Sequence, residues 1–315
     1  MKLNVLKQAS LPDALTAELA RRYHLVELTA LTDADFRALA GTFTVLITNG
    51  EASVTRELIA SLPALELIAV FGVGYDGVDV QAAAEHQVRV SHTPGVLTDD
   101  VADLALGLML ATSRQIVAAH KFIEAGEWAA GGFPWTQKVS GSRVGIVGMG
   151  RIGQAIARRC EGFAMQIAYH DRKRLPALNY AWREDLLTLA AESDFLVICT
   201  PGTAANQGLI NQPVLAALGE KGILINISRG SVIDEPALVA ALESGIIAGA
   251  GLDVFSHEPA VPAGLLQRSN VVVTPHMASA TWSTRAAMAQ LVLDNVACWA
   301  EKKALLTPVA ESLAD

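Results

Sequence analysis

Three polar residues, far apart in the chain, each stand just past an apolar run. They are Arg229 in Asn226-Ile227-Ser228-Arg229-Gly230, Glu258 in Leu252-Asp253-Val254-Phe255-Ser256-His257-Glu258-Pro259, and His276 in Thr274-Pro275-His276-Met277-Ala278-Ser279. An arginine presents a planar fork that fits a carboxylate and stays charged at any working pH. A histidine titrates near neutrality and can act as a general acid. A glutamate on one ring nitrogen fixes the tautomer of that histidine and favours its charged form. The combination suits an anion anchor beside a steadied proton donor. Taken singly, each residue has a plainer reading: a surface-loop arginine, turn chemistry before Pro259, a satisfied structural histidine. His257 is the only rival acid. His24, His86, His92 and His120 fall in an early strand-and-helix series, and His170 stands beside a different motif.

That motif is Gly148-Met149-Gly150-Arg151-Ile152-Gly153, entered directly from Val144-Gly145-Ile146-Val147 and followed by the helical pattern Gln154–Cys160. Gly-x-Gly-x-x-Gly between a strand and a helix is a dinucleotide fingerprint. The first glycine permits the tight turn, the second lets a pyrophosphate approach, and the third lets helix and strand pack closely. The helix start, with Arg151 and Ile152, offers N–H groups and a positive dipole end. A glycine-rich turn without a ligand is the alternative. An acidic residue is expected on the adenosine ribose after the next strand, and Asp171 stands there. Its carboxylate would repel a 2′-phosphate, which favours NAD(H). Arg172, Lys173 and Arg174 follow at once and keep NADP(H) open, although a solvated loop explains them equally well.

Elements that could carry these groups alternate along the chain. Short β-branched runs at Leu3–Lys7, Leu25–Leu28, Val45–Thr48, Leu67–Phe71 and Val88–Ser91 are separated by helical stretches such as Thr55–Ser61 and Val80–Glu85. A second series runs through Arg143–Val147, Gln166–Tyr169, Phe195–Cys199, Gly222–Asn226, Ala248–Asp253 and Val271–Thr274. Alternation of this kind predicts an α/β fold with parallel sheets. Two series predict two doubly wound domains, Rossmann-like or flavodoxin-like, with a cleft between them. Asp99–His120 reads as one long helix, apolar on nearly every face and so buried on all sides. An irregular arm, Gly126–Ser140, and a last helix near Trp282–Lys302 complete the pattern.

Length and composition agree. At 315 residues two domains are the natural division, and 51% apolar residues can fill two cores. A net charge of −8 without a basic block disfavours nucleic-acid or membrane partners. Neither a signal peptide nor an apolar run long enough to span a bilayer is apparent. Cys160, Cys199 and Cys298, scattered and odd in number, read as buried, reduced thiols of a cytoplasmic protein, with no metal site expected.

The ordered set Arg229, Glu258 and His276, in those three contexts and downstream of the glycine motif, resembles the D-isomer-specific 2-hydroxyacid dehydrogenases over essentially the whole chain. Within that family the likeness is to glyoxylate/hydroxypyruvate reductases, including the hydroxyphenylpyruvate reductase branch. It is carried by Thr93–Asp103, Asn226–Gly230, Gly249–Pro259 and Pro275–Thr281. The resemblance implies NAD(P)H-dependent reduction of a small 2-oxo acid to the D-2-hydroxy acid. Arg229 would then anchor the substrate carboxylate, and His276, steadied by Glu258, would protonate the carbonyl oxygen. An acid at 258 points to hydroxy-acid chemistry, because formate dehydrogenases of the family have glutamine there. Asp171–Pro176, by contrast, resembles the adenosine loop of those formate enzymes.

The same resemblance makes Phe71-Gly72-Val73-Gly74-Tyr75-Asp76-Gly77 a substrate loop. The backbone N–H groups of Val73 and Gly74 would share the carboxylate with Arg229; a simple turn is the alternative. It puts Ser279 among the substrate contacts, Arg172, Thr200 and Pro201 along the cofactor, and Asp253 on the nicotinamide amide. Trp128 and Trp135 read as packing residues more than substrate contacts. A substrate domain of residues 1–98 plus 285–315, a dinucleotide domain of 99–284, closure between them and a homodimer built around Asp99–Ser140 are further expectations. Two rival readings are another family chemistry (aryl-pyruvate, sugar-derived 2-oxo acid or phosphite) and a dinucleotide-sensing co-regulator that binds a partner protein.

Overall fold

The structure is a computed structural model that describes residues 2–266 and 268–313. The chain forms two compact units, Met1–Leu97 with Thr281–Asp315 and Thr98–Ala280.

In the first unit, β1 (Asn4–Lys7), β2 (His24–Glu27), β3 (Val45–Asn49), β4 (Leu67–Phe71) and β5 (Arg89–Ser91) form a parallel sheet in the order β2-β1-β3-β4-β5. The central strands read Val-Leu-Ile-Thr-Asn and Leu-Ile-Ala-Val-Phe, and β4 is buried at every position. An unbroken apolar run such as β4 belongs in a sheet covered on both faces. Leu6, Leu46, Ile68, Val70 and Val90 meet Ile59, Ala82 and Val309 in the core. Thr55 and Asp79 cap the helices Arg56–Ala60 and Val80–Glu85 through Leu58 N and Ala82 N, which makes Asp79 a helix-start residue. The long helix Trp282–Ala300 belongs to this unit and lies on β4.

The second unit holds β6 (Arg143–Val147), β7 (Gln166–His170), β8 (Ala181–Trp182), β9 (Phe195–Ile198), β10 (Ile223–Asn226), β11 (Gly249–Leu252) and β12 (Val271–Val273). All pair parallel, in the order β12-β11-β10-β9-β6-β7-β8. Chain order therefore reverses between β6 and β9. In open α/β sheets that switch point, at the carboxyl ends of the strands, is where a crevice opens for ligand. The two-residue strand β8 has no counterpart in the sequence reading, because a strand that short shows no periodicity.

One expectation fails here. Asp99–His120 is not one helix but two, Thr98–Ser113 and Ile116–Glu124, bent by 54°. Gln115 between them has φ 49°, a left-handed conformation that a helix interior does not accommodate. The cause lies in the arm: Gln137 N donates to the Ser113 carbonyl at 3.2 Å, and Ser113 Oγ donates to the Gln137 carbonyl at 2.9 Å. Ser113 is thus diverted from the helical ladder. The first helix buries Val101, Ala102, Ala105, Leu108 and Met109 and packs on the helix Arg151–Glu161 and on β10, β11 and β12, whereas the second buries no residue. Trp128 and Trp135, read as packing residues, are 67% and 102% exposed. No single helix among the described residues is long and apolar enough to cross a membrane.

Candidate active site

Every polar group singled out in the second series sits just past a strand of the second unit. β10 ends at Asn226, which is fully buried. Its side chain organises the turn that follows. Asn226 Oδ1 accepts from Ser228 N at 3.0 Å and from Ser228 Oγ at 2.9 Å, while Nδ2 donates to the Arg229 carbonyl at 2.9 Å. The guanidinium of Arg229 donates to the Ser228 carbonyl at 2.8 Å. Gly202 lies against the arginine's aliphatic stem, since a Cβ at 202 would come within 2.7 Å of Arg229 Cγ. Gly230 meets the next loop: a Cβ there would overlap the backbone of Phe255 and Ser256.

That contact brings the arginine turn against the segment carrying Glu258. Glu258 Oε1 accepts from Phe255 N at 2.8 Å, and Oε2 is 2.8 Å from His276 Nδ1. Burial pushes the Glu258 carboxyl up. The hydrogen bond from His276, the Phe255 N–H and the charges of His276 and Arg229 outweigh it and hold the group below its usual range. Arginine, glutamate and histidine are therefore one electrostatic cluster, assembled from loops after β10, β11 and β12.

His276 adopts φ 48°, which non-glycine residues avoid. Asp253, fully buried at the end of β11, compensates for that cost. His276 N donates to the Asp253 carbonyl at 2.8 Å. The Asp253 carboxylate accepts from Thr274 Oγ1 at 2.6 Å, Met277 N at 2.8 Å and Ala278 N at 2.9 Å. Burial raises its pKa, opposed by those three donors and by the charge of His276. Ser279, half-buried, lies in the same turn.

The glycine loop crosses the switch point. Gly148 has φ 94°, and a Cβ there would come within 2.9 Å of Thr200 N at the end of β9. A Cβ at Gly153 would overlap the Gly148 carbonyl, so the helix Arg151–Glu161 needs glycine there to close on its strand. Gly150 is different: a Cβ would meet nothing within 4 Å, and no side chain caps the helix it starts. An open approach, a free helix start and a flanking carboxylate fit a dinucleotide. That carboxylate is Asp171, which accepts from Met149 N at 2.8 Å and Arg172 N at 2.7 Å. Arg151, Arg172, Lys173 and Arg174 are exposed, Ile152 half-buried. Across the switch point Asn206 Nδ2 donates to Thr200 Oγ1 and to the Pro201 carbonyl, both at 2.9 Å.

The family model for the NAD-binding domain of the D-isomer specific 2-hydroxyacid dehydrogenases matches residues 106–278, more than half of the chain. The chain belongs to that family. It is an oxidoreductase of the glyoxylate/hydroxypyruvate reductase-like branch. A hydroxyphenylpyruvate reductase of Plectranthus scutellarioides is 46% identical over 98% of this chain and 99% of its own. A glyoxylate/hydroxypyruvate reductase of Arabidopsis thaliana is 40% identical over the same shares. The crystal structure of an NADPH-dependent glyoxylate/hydroxypyruvate reductase from Sinorhizobium meliloti, in complex with NADP and malonate, superposes with a TM-score of 0.93. It is 42% identical, covering 99% of this chain and 98% of that one.

Val73 and Gly74 stand in the first unit of this dehydrogenase, in the turn after β4. There Gly77 presses on the 51–52 backbone, with a Cβ falling within 2.5 Å of the Ala52 carbonyl. Asn226, Gly230, Gly202 and Asn206 were not singled out from sequence, and Asp253 was not read as the holder of the histidine turn. Asn226 and Asp253 carried a signal, since polar residues that end apolar strands are buried only when hydrogen-bonded. Gly202 and Gly230 carried none, because what they admit, the Arg229 stem and the Phe255–Ser256 backbone, is remote in sequence.

Proposed function

We propose that this enzyme reduces glyoxylate, hydroxypyruvate or a similarly small 2-oxo acid to the D-2-hydroxy acid. Arg229 binds the substrate carboxylate, and the N–H groups of Val73 and Gly74 add to that hold. Ser279 contributes a further polar contact to the substrate. His276 donates a proton from its ring to the carbonyl oxygen as that oxygen gains charge. Glu258 keeps Nδ1 occupied, so the other ring nitrogen carries the transferable proton. Asp253 keeps the ring's backbone in place and, by the family likeness, contacts the cofactor amide. The nicotinamide cofactor supplies the hydride when bound; Gly148–Gly153, Asp171, Arg172, Thr200 and Pro201 would hold it.

The observation that carries this reading is the 2.8 Å Glu258–His276 contact within the field of Arg229. NAD(H) is the preferred cofactor on this account, supported by the Asp171 carboxylate at the end of β7. We also read the enzyme as a cytoplasmic homodimer. Ile116, Val117 and Ile123, 53%, 45% and 58% exposed on an apolar helix, support the dimer, and three free thiols fit a reducing compartment.

Steady-state rates with glyoxylate, hydroxypyruvate and hydroxyphenylpyruvate, each with NADH or NADPH, and with phosphite and NAD⁺ or NADP⁺, test the reading. The expected order puts glyoxylate and hydroxypyruvate with NADH first. Faster turnover of the aryl substrate or of phosphite, or no turnover at all, would overturn it.

A further inference from the structure

The turn Phe71–Gly77 is held by a hydrogen-bond chain that runs back into the C-terminal segment. Just past β5, Thr93 N donates to the Gly72 carbonyl at 2.8 Å, and His92 Nδ1 lies 2.9 Å from the Val73 carbonyl. The carbonyl can only accept, so the ring carries a proton on Nδ1. These peptides are trans. In a trans peptide the N–H of the following residue points opposite to the carbonyl. Fixing the carbonyls of Gly72 and Val73 on the side of residues 92 and 93 therefore turns the N–H groups of Val73 and Gly74 to the other side. Successive N–H groups presented this way form an anion-binding concavity.

His92 is itself held. Its backbone exchanges two bonds with Thr307: His92 N donates to the Thr307 carbonyl at 3.2 Å, and Thr307 Oγ1 donates to the His92 carbonyl at 2.6 Å. Thr307 is clamped in turn by Asn295, 1% exposed, through Nδ2 to Oγ1 at 2.9 Å and Thr307 N to Oδ1 at 3.2 Å. The His92 ring also packs edge-on against Tyr75, with centroids 5.3 Å apart.

We propose that His92 is a positioning residue for substrate binding: its Nδ1–H locks the Val73–Gly74 peptide so that the Gly74 N–H faces the substrate carboxylate. Asn295 and Thr307 hold His92 in register. The proposal rests on the reading of Val73 and Gly74 as carboxylate binders.

The test is a KM-against-kcat comparison of three variants in the full-length enzyme. His92→Phe keeps an aromatic ring against Tyr75 and removes the donor. His92→Asn restores a donor the same number of bonds from Cα as Nδ1. Gly74→Pro deletes the N–H itself. His92→Phe is expected to raise KM for glyoxylate about tenfold, the worth of one hydrogen bond of ordinary net strength, with kcat within about threefold and NADH affinity unchanged. His92→Asn is expected to return KM to within about twofold of wild type. A structural role alone would lower thermal stability in both His92 variants without the selective KM change. If Gly74→Pro raises KM and His92→Phe does not, or if Asn rescues nothing, the positioning role is overturned while the loop reading stands. If neither Gly74→Pro nor His92→Phe moves KM, the loop does not bind substrate and both fall.

Discussion

In the proposed mechanism Glu258 does two things at once, holding Nδ1 of His276 and stabilising the charged ring that gives up a proton. Glu258→Gln separates them, because an amide oxygen still accepts the hydrogen bond but carries no charge. Reduction needs the protonated ring, so activity falls as the pH rises past the point where that proton is lost. Without the carboxylate's charge the alkaline limb of kcat/KM against pH should move to lower pH, and the rate at neutral pH should drop roughly 10–100-fold. An unmoved limb would deny the electrostatic role. Stability carries the opposite sign. A carboxyl held below its ordinary value near 4.5 stabilises the fold above that value, and the contribution is lost as pH falls through the depressed one. Tm of the wild type should therefore fall on acidification below about pH 4.5 more steeply than Tm of Glu258→Gln. At this scale the candidate residue types were legible because the side chain is itself the chemistry, and the fold brings Glu258 to His276. What Asn226 and Asp253 hold was not, because they act through backbone groups that only the folded turns bring to them.

Turns after strands decide how the elements serve those residues. Gly230 allows the β10 turn to close on the Phe255–Ser256 backbone, and Gly230→Ala forces the two apart. Turnover should fall by at least about 100-fold, since a displacement near 1 Å at a positioned group costs that much. Tm should fall as well; full activity in Gly230→Ala would show that the two turns need not touch. At the adenosine end, Asp171→Ser removes the charge that opposes a 2′-phosphate and leaves Arg172 and Arg174 in place. The NADH-to-NADPH ratio of kcat/KM is expected to drop by about tenfold or more. An unchanged ratio would place cofactor choice elsewhere. Strand positions were legible from β-branched runs almost to the residue, as at Leu67–Phe71 and Arg143–Val147. The break at Gln115 was not, because the group that takes Ser113 out of the ladder, Gln137, is 24 residues away.

Two parallel sheets of different strand order run through the molecule, and in the second the order reverses between β6 and β9, where the glycine turn after β6 faces the end of β9. That the chain held two such sheets was readable from two series of strands; the strand orders were not, since order depends on which crossover packs where. The exposed apolar helix Ile116–Glu124 predicts a homodimer that Ile123→Glu should weaken. Light scattering should show a shift towards monomer, and an unshifted mass would remove this helix from the interface. The central claim concerns His276 as proton donor, and one pair of measurements on His276→Ala tests it most directly. The glyoxylate-dependent rate of NADH oxidation should fall by about 10²–10⁴-fold, while NADH titrated against protein fluorescence keeps a Kd within about threefold of wild type. A variant that retains most of its rate, or that loses NADH along with it, would contradict the account.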